Sequence, residues 1–142
     1  MPCLRSLNIK ERQIDDFELV YISRESNELL SKSKIFTDDL VAVRTGKPGT
    51  TAVVDERFHE VNCIDLIIIR QSESFDSEYM CYLLNSAFAQ TQYSLGSEGA
   101  IQQHFNIGVA KELFVFWVPL DEQEAIVEFL NRKNSDIDRS IQ

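Results

Sequence analysis

The chain has 142 residues, 44% hydrophobic and 26% charged, which fits one globular domain and excludes a globally disordered chain. Fourteen basic against 23 acidic residues give a net charge of −9 and a pI near 4.7, which taken alone weighs against nucleic acid, because phosphate binding runs on Lys and Arg. The longest apolar runs, 66–69 and 113–119, fall far short of the ~20 residues that span a bilayer; no secretory signal is visible, and three cysteines without a CxxC pair fit a reducing cytosol rather than a disulfide framework.

In chain order, the first feature is the most basic stretch, residues 5–12 (RSLNIKER), which reads as a solvated turn after a first strand, or as a phosphate-facing cluster through Arg5 and Lys10. Residues 18–23 (ELVYIS) and 39–44 (DLVAVR) are β-branched and apolar between turn residues, and read as strands. Arg44-Thr45-Gly46-Lys47-Pro48-Gly49 then turns sharply. It offers two cations, a hydroxyl and exposed backbone amides, a set suited to phosphate contact; the plainer reading is a surface turn with incidental charges. Strands are predicted at 50–54 (TTAVV) and at 63–70 (CIDLIIIR), the latter apolar enough to be buried on both faces.

The second half begins with a predicted helix over 76–93. Tyr79, Met80, Leu83, Leu84, Ala87 and Phe88 recur at three- and four-residue spacings, and Asp76 or Ser77 caps the start. A polar loop over 96–106 follows. Gln102, Gln103 and His104 in it suit base edges or phosphates, or simply cap a short helix beginning near Asn106. Residues 113–118 (LFVFWV) are the strongest β segment by composition. After Pro119, Asp121 with Glu124 three residues on forms a capping-box pattern opening a helix about 30 Å long. Ile126, Leu130, Ile137 and Ile141 make a narrow stripe close to a heptad repeat, which packs either on a partner helix or back on its own domain. The chain stops in mid-pattern, as a fragment of something longer would.

An enzyme should show a site, and no recognisable one emerges. His59 and His104 are the only histidines; neither lies in a nucleophile elbow, no metal-ligand spacing is present, and no GxGxxG or Walker loop supports a nucleotide cofactor. The expectation is a non-catalytic chain with no cofactor and no membrane segment. The charge is also uneven: residues 1–59 hold nine basic and ten acidic residues, a net of −1, whereas residues 60–142 hold five and 13, a net of −8. A basic groove on an acidic body is therefore compatible with the composition, since fields decay over ~8 Å at physiological salt.

The order of these pieces carries a family resemblance. Arg5…Asn8-Ile9, Tyr21-Ile22-Ser23, Asp39-Leu40-Val41-Ala42-Val43-Arg44-Thr45-Gly46 and Ala52-Val53-Val54 come first. Leu66-Ile67-Ile68-Ile69-Arg70, Tyr82-Leu83-Leu84-Asn85-Ser86, Gly99…Gln102, Asn106-Ile107 and Val118-Pro119…Glu122-Gln123-Glu124 follow. This resembles a target recognition domain of the DNA specificity subunit of Type I restriction–modification systems, with the start of its spacer helix.

The resemblance implies a mixed α/β fold, with a twisted, largely β recognition domain over 1–119 and a spacer helix from 120 to 142. It implies a cytoplasmic, non-catalytic module that reads half of a split site in double-stranded DNA. Methyltransferase subunits dock around such modules, and the restriction subunit joins through them. Arg5, Lys10, Arg44, Thr45, Gly46, Lys47, Gln102, Gln103 and His104 would face DNA. Ile126, Leu130, Ile137 and Ile141 would meet another helix, a methyltransferase subunit or a second copy of the chain. Family members carry two recognition domains where this chain has one, so the expectation includes a truncated or half-size subunit. The alternative is a protein-interaction module that docks through its terminal helix.

Overall fold

The computed structural model describes residues 1–95 and 105–141. Nine short strands lie between residues 2 and 69: β1 (Pro2–Leu4), β2 (Ile9–Lys10), β3 (Gln13–Ile14), β4 (Val20–Tyr21), β5 (Lys34–Ile35), β6 (Leu40–Val43), β7 (Thr51–Val53), β8 (Val61–Cys63) and β9 (Leu66–Ile69). The helices are α1 (Arg24–Leu29), α2 (Ser77–Asn85), α3 (Ala87–Leu95), α4 (Ile107–Lys111) and α5 (Leu120–Ile141). The result is the mixed α/β architecture expected, ending in a long helix.

β6 organises the molecule. It is the middle strand of a three-stranded antiparallel sheet ordered β7-β6-β9, and all four of its residues are buried. Successive side chains point to opposite faces. Val41 and Val43 pack with Leu4, Ile9, Ile14, Ile35 and Val61 from the other strands. Ala42 faces the helical side with Tyr93 and Phe105, and Leu40 does so with Met80, Cys81 and Leu84. The sheet is thus a middle layer with strands on one side and helices on the other. On the strand side, β4-β1-β8-β5 form a mixed sheet in which β1 and β8 run parallel, and β2 and β3 form a hairpin.

Strands this short supply few ladder bonds, and buried or half-buried carboxamides take over part of that work. Asn85 on α2 accepts from the Thr51 amide at 3.0 Å and donates to its carbonyl at 2.9 Å, so one side chain pairs with β7 as a neighbouring strand would. Asn62 on β8 donates to the Asn27 carbonyl and to Asn27 Oδ1 at 3.0 and 2.7 Å. Asn8 accepts from the Arg5 amide and donates to the carbonyls of Asp15 and Phe17. Asn8, Asn27 and Asn62 are all buried, where an unpaired amide would cost about 1–3 kcal/mol.

Several predicted elements differ in the structure. The run 63–70 is two strands, because Asp65 takes φ +57° and turns the chain from the four-stranded sheet into the three-stranded one. The strand at 18–23 shrinks to β4, since Ser23 is used as the N-cap of α1 and accepts from the Ser26 amide at 3.0 Å. The helix over 76–93 does begin at an Asp76 cap, bonded to the Tyr79 amide at 2.8 Å, but extended Ser86 splits it into α2 and α3.

Residues 113–118 form no strand; nothing among the described residues pairs with them, and side chains hold them instead. The capping box at Asp121 is also absent. α5 starts one residue earlier, with the Gln123 amide donating to the Pro119 carbonyl at 3.0 Å. Asp121 therefore lies within the first turn, where its charge still suits the positive end of the helix.

Candidate functional site

An open cleft of about 910 Å³ lies between three pieces of the chain. One wall is the turn Ser6–Asn8 with the β2–β3 hairpin, contributing Ser6, Leu7, Lys10 and Glu11. The facing wall is the β6–β7 loop, contributing Thr45, Gly46, Lys47, Pro48 and Thr50. Asn85, Gln90, Tyr93 and Ser94 from α2 and α3 close the third side.

Packing explains the position of the loop. Gly49 has φ +83° and lies directly against the Tyr93 ring, so the loop seats on α3 through a contact that leaves no room for a side chain. Tyr93 is in turn buried, donates to the Leu84 carbonyl at 3.2 Å and packs against Phe105 with ring centroids 4.5 Å apart and the rings tilted by 57°. Burial raises its phenol well above the ordinary value, so it is a neutral packing group. Gly46 also has positive φ, +98°, but its Cα faces open space, which leaves the loop tip accessible.

The cleft brings together Lys10, Thr45, Gly46 and Lys47 from segments well apart in sequence. Lys10 and Lys47 are exposed, and among the described residues they are its two cations and Glu11 its one carboxylate. The rest of the lining mixes hydroxyls and carboxamides (Ser6, Thr45, Thr50, Asn85, Gln90, Ser94) with the apolar side chains of Leu7, Ile9, Val43 and Pro48 and the Tyr93 ring; its polar part can make phosphate and base-edge hydrogen bonds.

Arg44 is elsewhere. Its side chain lies 3.5 Å from Asp65 and lines a second hollow with Lys32 and Arg70, while its carbonyl accepts from the Phe105 amide. Arg5 is also outside the cleft lining; its Nη2 donates to the Glu18 carbonyl at 2.7 Å and ties β1 to the segment before β4. Gln102, Gln103 and His104 lie outside the described residues. Gln90 and Ser94 were not legible as cleft residues, because a helix reached only six strands after the β2–β3 hairpin carries them.

The C-terminal helix folds back in its first half. Gln123 is fully buried; its Oε1 accepts from the Asp76 amide at 2.8 Å and its Nε2 donates to the Val118 carbonyl at 2.9 Å. Asn131 and Asn134 meet Tyr82 of α2. Ile126 and Leu130 are half-buried between these anchors on the same helix face. The face continues beyond Asn134 as Ile137 and Ile141, which are 56% and 78% exposed.

Other candidate chemistry is quiet. His59 Nδ1 meets the Thr37 amide and hydroxyl at 3.2 and 2.9 Å, a local polar contact. Among the described residues no His, Cys, Asp and Glu cluster could hold a metal ion, and no helix is long and apolar enough to cross a membrane.

No protein-family model matches the sequence, and no curated protein does. Solved structures do. An HsdS subunit from Thermoanaerobacter tengcongensis superposes on 98% of this chain at TM-score 0.75 and 17% identity. A chain from a structure concerning complex assembly and conformational transition of the type I R-M system superposes on 97% of it, at TM-score 0.71 and 18% identity. The chain has the fold of part of each. It spans 37% of the length of each.

Proposed function

We propose that the chain is a target recognition domain of a Type I restriction–modification specificity subunit, reading one half of a split site in double-stranded DNA. The observation that carries this reading is the fold match over nearly the whole chain, joined to an open cleft in which Lys10, Thr45, Gly46 and Lys47 converge. The module is non-catalytic: it positions methyltransferase subunits, and through them the restriction subunit, in the cytoplasm.

Among the described residues two lysines against one glutamate give the cleft little positive charge, and the whole chain carries −9. The isolated chain therefore binds DNA poorly, and affinity appears when methyltransferase subunits add positive surface. The test uses the chain assembled with those subunits and a random-sequence duplex, titrated across salt concentrations. Lys10→Ala and Lys47→Ala each make the slope of log K against log salt shallower by about one, the loss of one phosphate contact. Arg44→Ala, outside the cleft, leaves it unchanged. Equal slopes for wild type and both lysine variants would remove the cleft from the interface.

A second reading has its own observation, the exposed continuation of the α5 stripe at Ile137 and Ile141. In it the chain is an interaction module that pairs with a methyltransferase subunit or with itself. Light scattering at several concentrations tests it. A strict monomer without affinity for a methyltransferase subunit excludes it.

A further inference from the structure

Residues 113–118 combine the strongest β composition of the sequence with membership in no sheet. Their backbone is nonetheless ordered, and it alternates. The Phe114 amide donates to Gln92 Oε1 at 2.8 Å and its carbonyl accepts from Gln92 Nε2 at 3.0 Å. The Phe116 carbonyl accepts from the Tyr79 hydroxyl at 2.8 Å, and the Val118 carbonyl accepts from Gln123. Even-numbered residues thus turn their backbone groups inward. In extended chain the intervening residues turn theirs the opposite way. Neither the amide nor the carbonyl of Val115 or Trp117 has a partner among the described residues. The side chains are equally uncovered: Phe114 is 79% exposed and Trp117 59%, and Phe116 is held from one side only, by Phe88 at 4.7 Å. The segment is thus held along one edge by side chains and open along the other.

We propose that this edge docks an extended segment of a partner protein, which pairs with the backbone of Val115 and Trp117 and carries Lys or Arg alongside its apolar residues. Charge selects that occupant. Residues 110–128 hold five acidic residues and one basic residue, and Glu112, Asp121 and Glu122, at the two ends of the segment, are all exposed. A second copy of this chain would bring the same acidic excess against the first, and nucleic acid would bring its phosphates. A basic strand instead gains from the carboxylates and covers the aromatics. The edge shares no residue with the cleft, so the inference stands independently of DNA reading.

Trp117 is the chain's single tryptophan, so its emission reports directly on the edge. The full chain is titrated with a capped hexapeptide of alternating Val and Lys. Controls are its Val–Glu counterpart and the Val–Lys peptide N-methylated at two consecutive central residues, which blocks both of its edges. The Val–Lys peptide shifts Trp117 emission saturably and slows amide exchange at Val115 and Trp117 at least tenfold. Both control peptides bind at least tenfold more weakly. The proposal is overturned by no saturable response up to millimolar peptide, by equal binding of all three, or by an emission change without slowed exchange at those two amides. Self-association that protects the same two amides also overturns it.

Discussion

The Tyr82 hydroxyl donates to Asn131 Oδ1 at 2.6 Å, joining α2 to the middle of the C-terminal helix. The same oxygen accepts from Asn134 Nδ2 at 2.9 Å and from Arg12 Nη1 at 2.7 Å, so its one donor and both acceptor positions are filled. Arg12 also lies over the Tyr82 ring, 4.5 Å from its centroid. One phenol thus links the β2–β3 hairpin, which forms a wall of the cleft, to the C-terminal helix. Tyr82→Phe keeps the ring and removes all three bonds. These groups are part-exposed and water replaces some of what is lost, so the expected cost is about 1–2 kcal/mol. Hydrogen exchange should quicken along α5 from Ile126 to Asn134 while β6 is unaffected. Unchanged α5 protection would show that the apolar contacts alone hold the helix.

Gln123 is a sharper case because it is fully buried. It bonds the first amide before α2 and the last carbonyl of the extended segment, joining both to α5. Gln123→Ala strands a buried carbonyl and amide and should cost roughly 2–4 kcal/mol, read as a lower denaturation midpoint. Gln123→Glu keeps the shape but replaces the donor with an acceptor facing the Val118 carbonyl, and should destabilise at least as much at neutral pH. A Gln123→Glu variant as stable as wild type would mean that the amide donor contributes nothing.

The two loop glycines separate space from conformation. Both have positive φ, which strains any other residue by about 1–2 kcal/mol. At Gly46 that is the whole penalty, because nothing lies within reach of an added Cβ. At Gly49 an added Cβ overlaps the Tyr93 ring, so loop or helix must shift. Gly49→Ala should therefore cost several kcal/mol more than Gly46→Ala and should loosen the cleft wall carrying Lys47. Thermal unfolding of the two variants gives the comparison, and equal losses would show that Tyr93 yields freely.

How much was legible in the sequence follows from how local each signal is. β6, β7 and α2 stand nearly where periodicity puts them, and the Asp76 cap is a property of four consecutive residues. Residues 113–118 show the limit. Composition marks a segment able to pair, but pairing needs a second strand, and the described residues supply Gln92 and Tyr79 instead. The arginine-lysine loop shows it again: one loop sends Lys47 into the cleft and Arg44 to the Asp65 side, a division set by the turn at Gly46. The fold-back of α5 rests on Gln123, Asn131 and Asn134, polar residues that a hydrophobic stripe passes over.

The cysteines give a test that also carries a sign in pH. All three are buried and unpaired, and burial pushes the thiols of Cys63 and Cys81 up to about 12 and raises that of Cys3. The thiolate is the reactive form, so a maleimide at pH 8 should label the native chain only as fast as it opens, and all three sites at once in denaturant. Because the folded values lie above the unfolded value near 9, the folded state holds protons that the unfolded chain releases. The resulting stability is complete below pH about 9 and is lost as pH climbs from there toward about 12. Tyr93, also raised, adds to the same loss. The melting temperature should accordingly fall between pH 9 and 11, and less steeply in Cys81→Ala than in wild type, even though that variant starts lower for want of the buried sulfur. A parallel pH profile for the two proteins, or fast labelling of the native chain at pH 8, would show that Cys81 is not protected as its burial requires.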